Sequence, residues 1–128
     1  MRYLHTMIRV GDLQRSVDFY CGVLGFSELR RSEYPDGKFT LVFLRAPGDS
    51  DEGPTLELTY NWGVERYSVG DGYGHTAFEV DSVAAIGDRL ATAGLAFSWG
   101  PGVTPDGRTT MAFIDDPDGY KIELLEYN

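Results

Sequence analysis

The strongest constraint on the fold is an internal duplication. From His5 the chain reads His-Thr-Met-Ile-Arg-Val-Gly-Asp-Leu, and from His75 it reads His-Thr-Ala-Phe-Glu-Val-Asp-Ser-Val. Each stretch leads into a helical pattern that stops at Gly25-Phe26 or at Gly94-Leu95. The later parts correspond as well: Phe39–Leu44 and Leu56–Tyr60 in the first half match Thr109–Ile114 and Ile122–Glu126 in the second. A repeated supersecondary unit implies a fold built from two copies of one pattern. Each copy reads strand, helix, strand, strand, with a further strand expected around residues 28–32 and 96–99. With 128 residues, the expectation is one α+β domain, 1–128, made of two repeats spanning about 1–62 and 73–128.

Local signals mark the elements. Asp12 is placed to cap a first helix whose Leu13, Val17, Tyr20, Cys21 and Leu24 fall on one face before Gly25 stops it. In the second helix, Asp81 or Ser82 caps, Val83, Ile86 and Leu90 form the apolar stripe, and Gly94 ends it. Pro35-Asp36-Gly37, the acidic loop 47–54, Pro105-Asp106-Gly107 and Asp116–Gly119 read as turns, and the glycine-rich stretch 62–74 reads as an irregular connection between the halves.

Strand periodicity singles out four polar residues. Alternate side chains share a face, so His5, Met7 and Arg9 lie opposite Leu4, Thr6, Ile8 and Val10, the side expected to pack on the helix. Glu57, Thr59 and Asn61 lie opposite Leu56, Leu58 and Tyr60. The second half repeats the arrangement with His75, Ala77 and Glu79, and with Glu123 and Leu125. A lone strand histidine or glutamate signifies little. Here both histidines of the chain, and one apolar-flanked glutamate per half, occupy corresponding positions. Four unpaired polar groups brought together in a cleft would be costly, whereas one divalent cation satisfies them all. Two imidazoles and two carboxylates suit zinc, nickel, cobalt, iron or manganese better than calcium or magnesium. An octahedral ion would keep two further positions for water or substrate.

Charge and composition narrow the partners. A formal net charge of −9 argues against nucleic acid and anionic membranes, which are bound through basic patches, and leaves small molecules or proteins. No apolar run approaches the roughly 20 residues of a membrane span, and Met1–Thr6 lacks the apolar segment of a signal peptide, so a cytoplasmic protein is expected. The single cysteine, Cys21, cannot form an intramolecular disulfide; on its helix face it reads as a buried structural thiol.

The segments His5–Leu13, Ser16–Tyr20, Leu24-Gly25, Leu56–Gly63, Tyr73–His75 and Asp116–Glu123 together resemble the glyoxalase I (lactoylglutathione lyase) family of the vicinal-oxygen-chelate superfamily, and the resemblance covers essentially the whole chain. It implies two βαβββ modules whose curved sheets form a metal-lined cleft. The implied reaction isomerises the hemithioacetal of glutathione and methylglyoxal to S-lactoylglutathione through an enediolate. The resemblance assigns the metal ligands to His5, Glu57, His75 and Glu123, and the glutathione contacts to Arg9 and Asn61. A guanidinium suits a carboxylate and an amide suits a peptide. Glu123 is expected to be the principal base, with Glu57 serving the opposite substrate stereoisomer.

The compact chain lacks the N-terminal extension of longer eukaryotic members and has Asp71 where they carry an arginine, so it resembles the bacterial, nickel-activated type, with cobalt as a substitute and zinc a poorer one. A homodimer whose sites take one half from each chain is implied in the same way. Arg66 and Arg108 read as solvated charges or additional anion contacts. Two other readings exist: an extradiol dioxygenase, against which Glu57 argues by occupying a position that oxygen or catechol needs, and a metal-free binding protein of the bleomycin-resistance kind, which has no use for four ligands.

Overall fold

The computed structural model describes all residues, 1–128, and turns each sequence repeat into its own four-stranded sheet. The backbone divides into two units, Met1–Ser68 and Val69–Asn128. The first carries β1 (His5–Arg9), a helix, β2 (Ser27–Tyr34), β3 (Phe39–Arg45) and β4 (Thr55–Asn61), with sheet order β1-β4-β3-β2. The second carries β5 (His75–Glu79), a helix, β6 (Trp99–Val103), β7 (Thr109–Asp115) and β8 (Lys121–Tyr127), with order β5-β8-β7-β6. In both sheets the first strand is parallel to the last and the remaining pairs are antiparallel. The architecture is α+β, two βαβββ modules.

Alternation decides the two faces of each sheet. In β3, Thr40, Val42 and Leu44 are buried, while Phe39, Leu41, Phe43 and Arg45 are half-buried. Leu56 and Leu58 of β4 and Ile8 and Val10 at β1 add to the buried side, where the first helix packs. In the second unit Ala112, Ile114, Ile122 and Leu124 form the equivalent layer under the second helix. Each buried Val, Leu or Ile side chain among them contributes about 1.5–3 kcal/mol by leaving water. Leu4, expected on the helix side, is instead 61% exposed because β1 begins only at His5.

The first helix departs from the expected regular α-helix. The α1 segment (Leu13–Val17) is capped by Asp12, whose carboxylate accepts from the Arg15 backbone N–H, but Asp18–Val23 continues as a π-helix. Leu24 N–H donates to the Phe19 carbonyl, five residues back. The wider turn brings Phe19, Tyr20, Leu24 and Phe26 all into the core, with Phe19–Tyr20 and Tyr20–Phe26 ring contacts. Phe19 was off the face that a 3.6-residue period defines; Cys21, expected to be buried, is half-buried.

The second helix, α2 (Val83–Thr92), is regular. Ser82 is its cap, accepting from Ala85 N–H, and Glu126 of β8 accepts from Val83 N–H at 2.8 Å. At its end Leu95 N–H reaches the Leu90 carbonyl and Gly94 N–H the Ala91 carbonyl, with Gly94 at φ +75°. That double bond pattern needs a left-handed residue, which glycine supplies without strain.

Residues 62–74 form neither helix nor strand, as expected. The edge strand expected at residues 96–99 starts only at Trp99, since Ala96 and Phe97 do not pair and only Ser98 N–H meets the Phe113 carbonyl before the register breaks between Trp99 and Gly102. Pro101 has no N–H to give a ladder, so an interrupted edge is where it is tolerated. No helix is long and apolar enough to cross a membrane.

Candidate metal centre

Each unit brings one histidine and one glutamate together, by the same construction. In the first, Met7 is the strand partner of Glu57 and His5 stands two residues earlier on the same face, so its imidazole reaches diagonally across the parallel pair. His5 Nε2 lies 3.2 Å from Glu57 Oε2. In the second, Ala77 is the partner of Glu123, His75 again stands two residues earlier, and Nε2 lies 2.9 Å from Glu123 Oε2. The glutamate side chains are only 11% and 14% exposed, while the histidines are 40% and 44% exposed. Each pair is thus a sheltered carboxylate beside an accessible imidazole, with no third histidine, cysteine, aspartate or glutamate within its unit to complete a cluster.

An aromatic ring holds each imidazole. Phe43 is the β3 partner of Glu57, and its ring meets that of His5 edge-on at 5.6 Å and 81°. Phe113 is the β7 partner of Glu123, and meets His75 at 5.5 Å and 80°. Sequence reasoning missed both phenylalanines, although they occupy matching places in the two repeats. One strand further out the units differ. Arg30, the β2 partner of Phe43, lays its guanidinium 4.3 Å over that ring. Trp99, the β6 partner of Phe113, meets it edge-on at 6.1 Å.

The donor set fits a divalent transition metal. Ligand bonds of about 2.1 Å meeting at about 90° leave two donor atoms about 3 Å apart, which is the separation of Nε2 and Oε2 in both pairs. The spacing in each unit is therefore compatible with two neighbouring donors to one cation, as it is with a direct imidazole–carboxylate contact.

The expected substrate contacts share the face of the first pair. Arg9 ends β1 beside Thr59, and Asn61 follows two residues later at the end of β4. Asn61 Nδ2 donates to Tyr67 Oη at 3.0 Å, a partner that sequence reasoning missed. Arg66 and Arg108 are both exposed.

Comparison with known proteins identifies the family. Residues 2–124 match the Glyoxalase/Bleomycin resistance protein/Dioxygenase superfamily. The lactoylglutathione lyase of Escherichia coli O157:H7 is 50% identical over 126 residues, which is 98% of this chain and 93% of that protein. Among solved structures, the trypanothione-dependent glyoxalase I of Leishmania major is 44% identical with a TM-score of 0.86, covering 98% of this chain and 86% of that one. Glyoxalase I from Zea mays is 39% identical with a TM-score of 0.90, over 98% of this chain and 44% of that longer one. By sequence along nearly its whole length and by fold, the chain belongs to the Glyoxalase/Bleomycin resistance protein/Dioxygenase superfamily.

Proposed function

We propose that the protein is a metal-dependent lactoylglutathione lyase, which converts the hemithioacetal of glutathione and methylglyoxal to S-lactoylglutathione. The observation that carries this reading is the pair of matched half-sites, His5 with Glu57 and His75 with Glu123, each with its donor atoms about one ligand–ligand distance apart. Lactoylglutathione lyases at about half identity over nearly the full chain support it.

The four side chains would hold one divalent cation, nickel by preference, with cobalt next and zinc less suited. When bound, the ion supplies Lewis-acid stabilisation of the negative charge that develops on the substrate oxygens. The protein moves the proton. Glu123 takes it from the carbon beside the carbonyl, leaving an enediolate, and returns it to the neighbouring carbon; Glu57 does the same for the opposite stereoisomer. His5 and His75 act as ligands only, each braced by its phenylalanine. Arg9 binds a glutathione carboxylate and Asn61 a peptide group.

The repeats are read as one domain, and two copies of the chain as a homodimer in which each site takes one half from each copy. A cytoplasmic setting goes with this reading, because the co-substrate is a reduced thiol. Activity would be tested by stripping the protein of metal, reloading separate samples with nickel, cobalt, zinc and iron, and following S-lactoylglutathione formation. The expected order is nickel first, then cobalt; a protein inactive with all four would sink the proposal.

A further inference from the structure

Asn61 has a fixed partner. Its side-chain Nδ2 donates to the phenol oxygen of Tyr67 at 3.0 Å, and both residues are half-buried. The chain returns over itself between them: Val64 N–H closes a turn on the Asn61 carbonyl at 3.0 Å, with Gly63 at φ +85°. This loop has other anchors. Trp62 N–H donates to the Lys38 carbonyl, and Trp62 Nε1 donates to Thr40 Oγ1, each at 2.9 Å. The Tyr67 bond is thus a side-chain contact added to a loop already tied to β3 and β4, and it falls on the one amide of this face.

We infer that Tyr67 is a substrate-positioning residue, which orients the Asn61 amide and with it forms a matched acceptor and donor for a peptide group of the thiol co-substrate. The chemistry follows from the hydrogen-bond inventory. A free side-chain amide can present either its oxygen or its nitrogen to a ligand. With one Nδ2 hydrogen held by Tyr67 the amide's orientation is fixed, so Oδ1 is turned to accept an incoming N–H while the second Nδ2 hydrogen stays available. The phenol, accepting from Asn61, keeps its own proton to donate. A peptide group carries one N–H and one C=O, so the two side chains read both. This assignment rests on the reading of Asn61 as a substrate contact.

The test compares the wild type with Tyr67→Phe, Asn61→Ala and the double variant in the nickel-loaded protein. It uses turnover of the glutathione–methylglyoxal hemithioacetal and, independently of turnover, calorimetric binding of S-methylglutathione. Tyr67→Phe keeps the ring and removes only the hydroxyl. It is expected to raise KM and weaken S-methylglutathione binding about five- to tenfold, with kcat, metal content and melting temperature unchanged. On the Asn61→Ala background the same change should cost less than it does alone, because the amide it orients is gone and only the phenol's own bond to the peptide is left to lose. A variant that binds S-methylglutathione as the wild type does, or whose loss adds in full to that of Asn61→Ala, overturns the inference. So does a lower melting temperature with KM unchanged, which would make Tyr67 a loop tether. A wild type that binds S-methylglutathione without turning over the hemithioacetal would overturn the proposed activity and leave Tyr67's role to the binding series. A wild type that does neither overturns both.

Discussion

The His5 and His75 half-sites share a construction and differ in what surrounds it. Both set an imidazole two residues before the strand partner of a sheltered glutamate, with a phenylalanine edge against the ring. Around the first, Arg30 places a cation over Phe43; around the second, Trp99 places an apolar ring beside Phe113. The supports differ as well, since Ile8 and Val10 behind His5 are buried whereas Phe78 and Val80 behind His75 are only half-buried. The two repeats share the His–Glu–Phe arrangement and differ in what surrounds it. Under the proposed function, two glutamates equivalent as ligands therefore need not be equivalent as bases.

The largest effect should come from breaking that equivalence directly. Glu123→Gln is expected to lower kcat for the preferred stereoisomer by about a thousandfold with metal still bound, which is the range of general-base losses. Glu57→Gln should cost much less with that isomer and more with its opposite. Stopped assays on both stereoisomers, with metal analysis of each variant, check this. Equal losses for both variants on the same isomer would abolish the distinction between the two bases.

The next prediction asks whether the halves of a site come from one chain. His5→Ala and His75→Ala should each lose metal and nearly all activity. If sites are shared between two copies, unfolding and refolding the two inactive proteins together should restore activity. Random pairing makes half of the dimers mixed, and each mixed dimer rebuilds one intact site of two, or roughly a quarter of all sites. Sites confined to one chain would recover nothing.

What the sequence disclosed and what it withheld divide along the same line. The histidine–glutamate proximity was legible because a strand's period of two ties His5 to Met7, and the repeat ties His5 to His75. Hydrophobic alternation likewise gave the buried Leu56 and Leu58 of β4. Arg30 and Trp99 were not legible, because their positions depend on strand register, and both edge pairings are interrupted, between Glu28 and Arg30 and between Trp99 and Gly102. Phe19 escaped because a π turn changes which residues share a face. Tyr67 escaped because a loop has no period from which its contact with Asn61 could be inferred.

The difference in support behind the two histidines predicts a difference in stability. Ile8→Ala removes a buried side chain from a filled layer and should destabilise the protein by about 2–5 kcal/mol. Phe78→Ala removes a larger side chain, but one already partly in water, so its cost should be the smaller despite the greater volume lost. Urea unfolding of the two variants, read at two wavelengths to check that the transition is single, ranks them. The reverse order would show that side-chain volume outweighs burial at these positions.

The smallest effect lies in the π-helical segment, which has no counterpart in α2. Cys21 sits there half-buried. Burial raises its thiol above the ordinary cysteine value, Glu28 and Asp18 push it the same way, and Arg31 opposes them. The reactive species is the thiolate, and a raised value leaves less of it at any pH below the titration. Alkylation by iodoacetamide at pH 8 should therefore run several-fold slower than that of a free cysteine peptide, and the gap should narrow as the pH rises through the titration. Partial steric cover would also slow the reaction, but equally at every pH. A rate deficit that stays constant from pH 7 to pH 10 would assign the protection to steric cover alone, and one that closes with pH would assign it to the electrostatics of the segment where the two halves diverge.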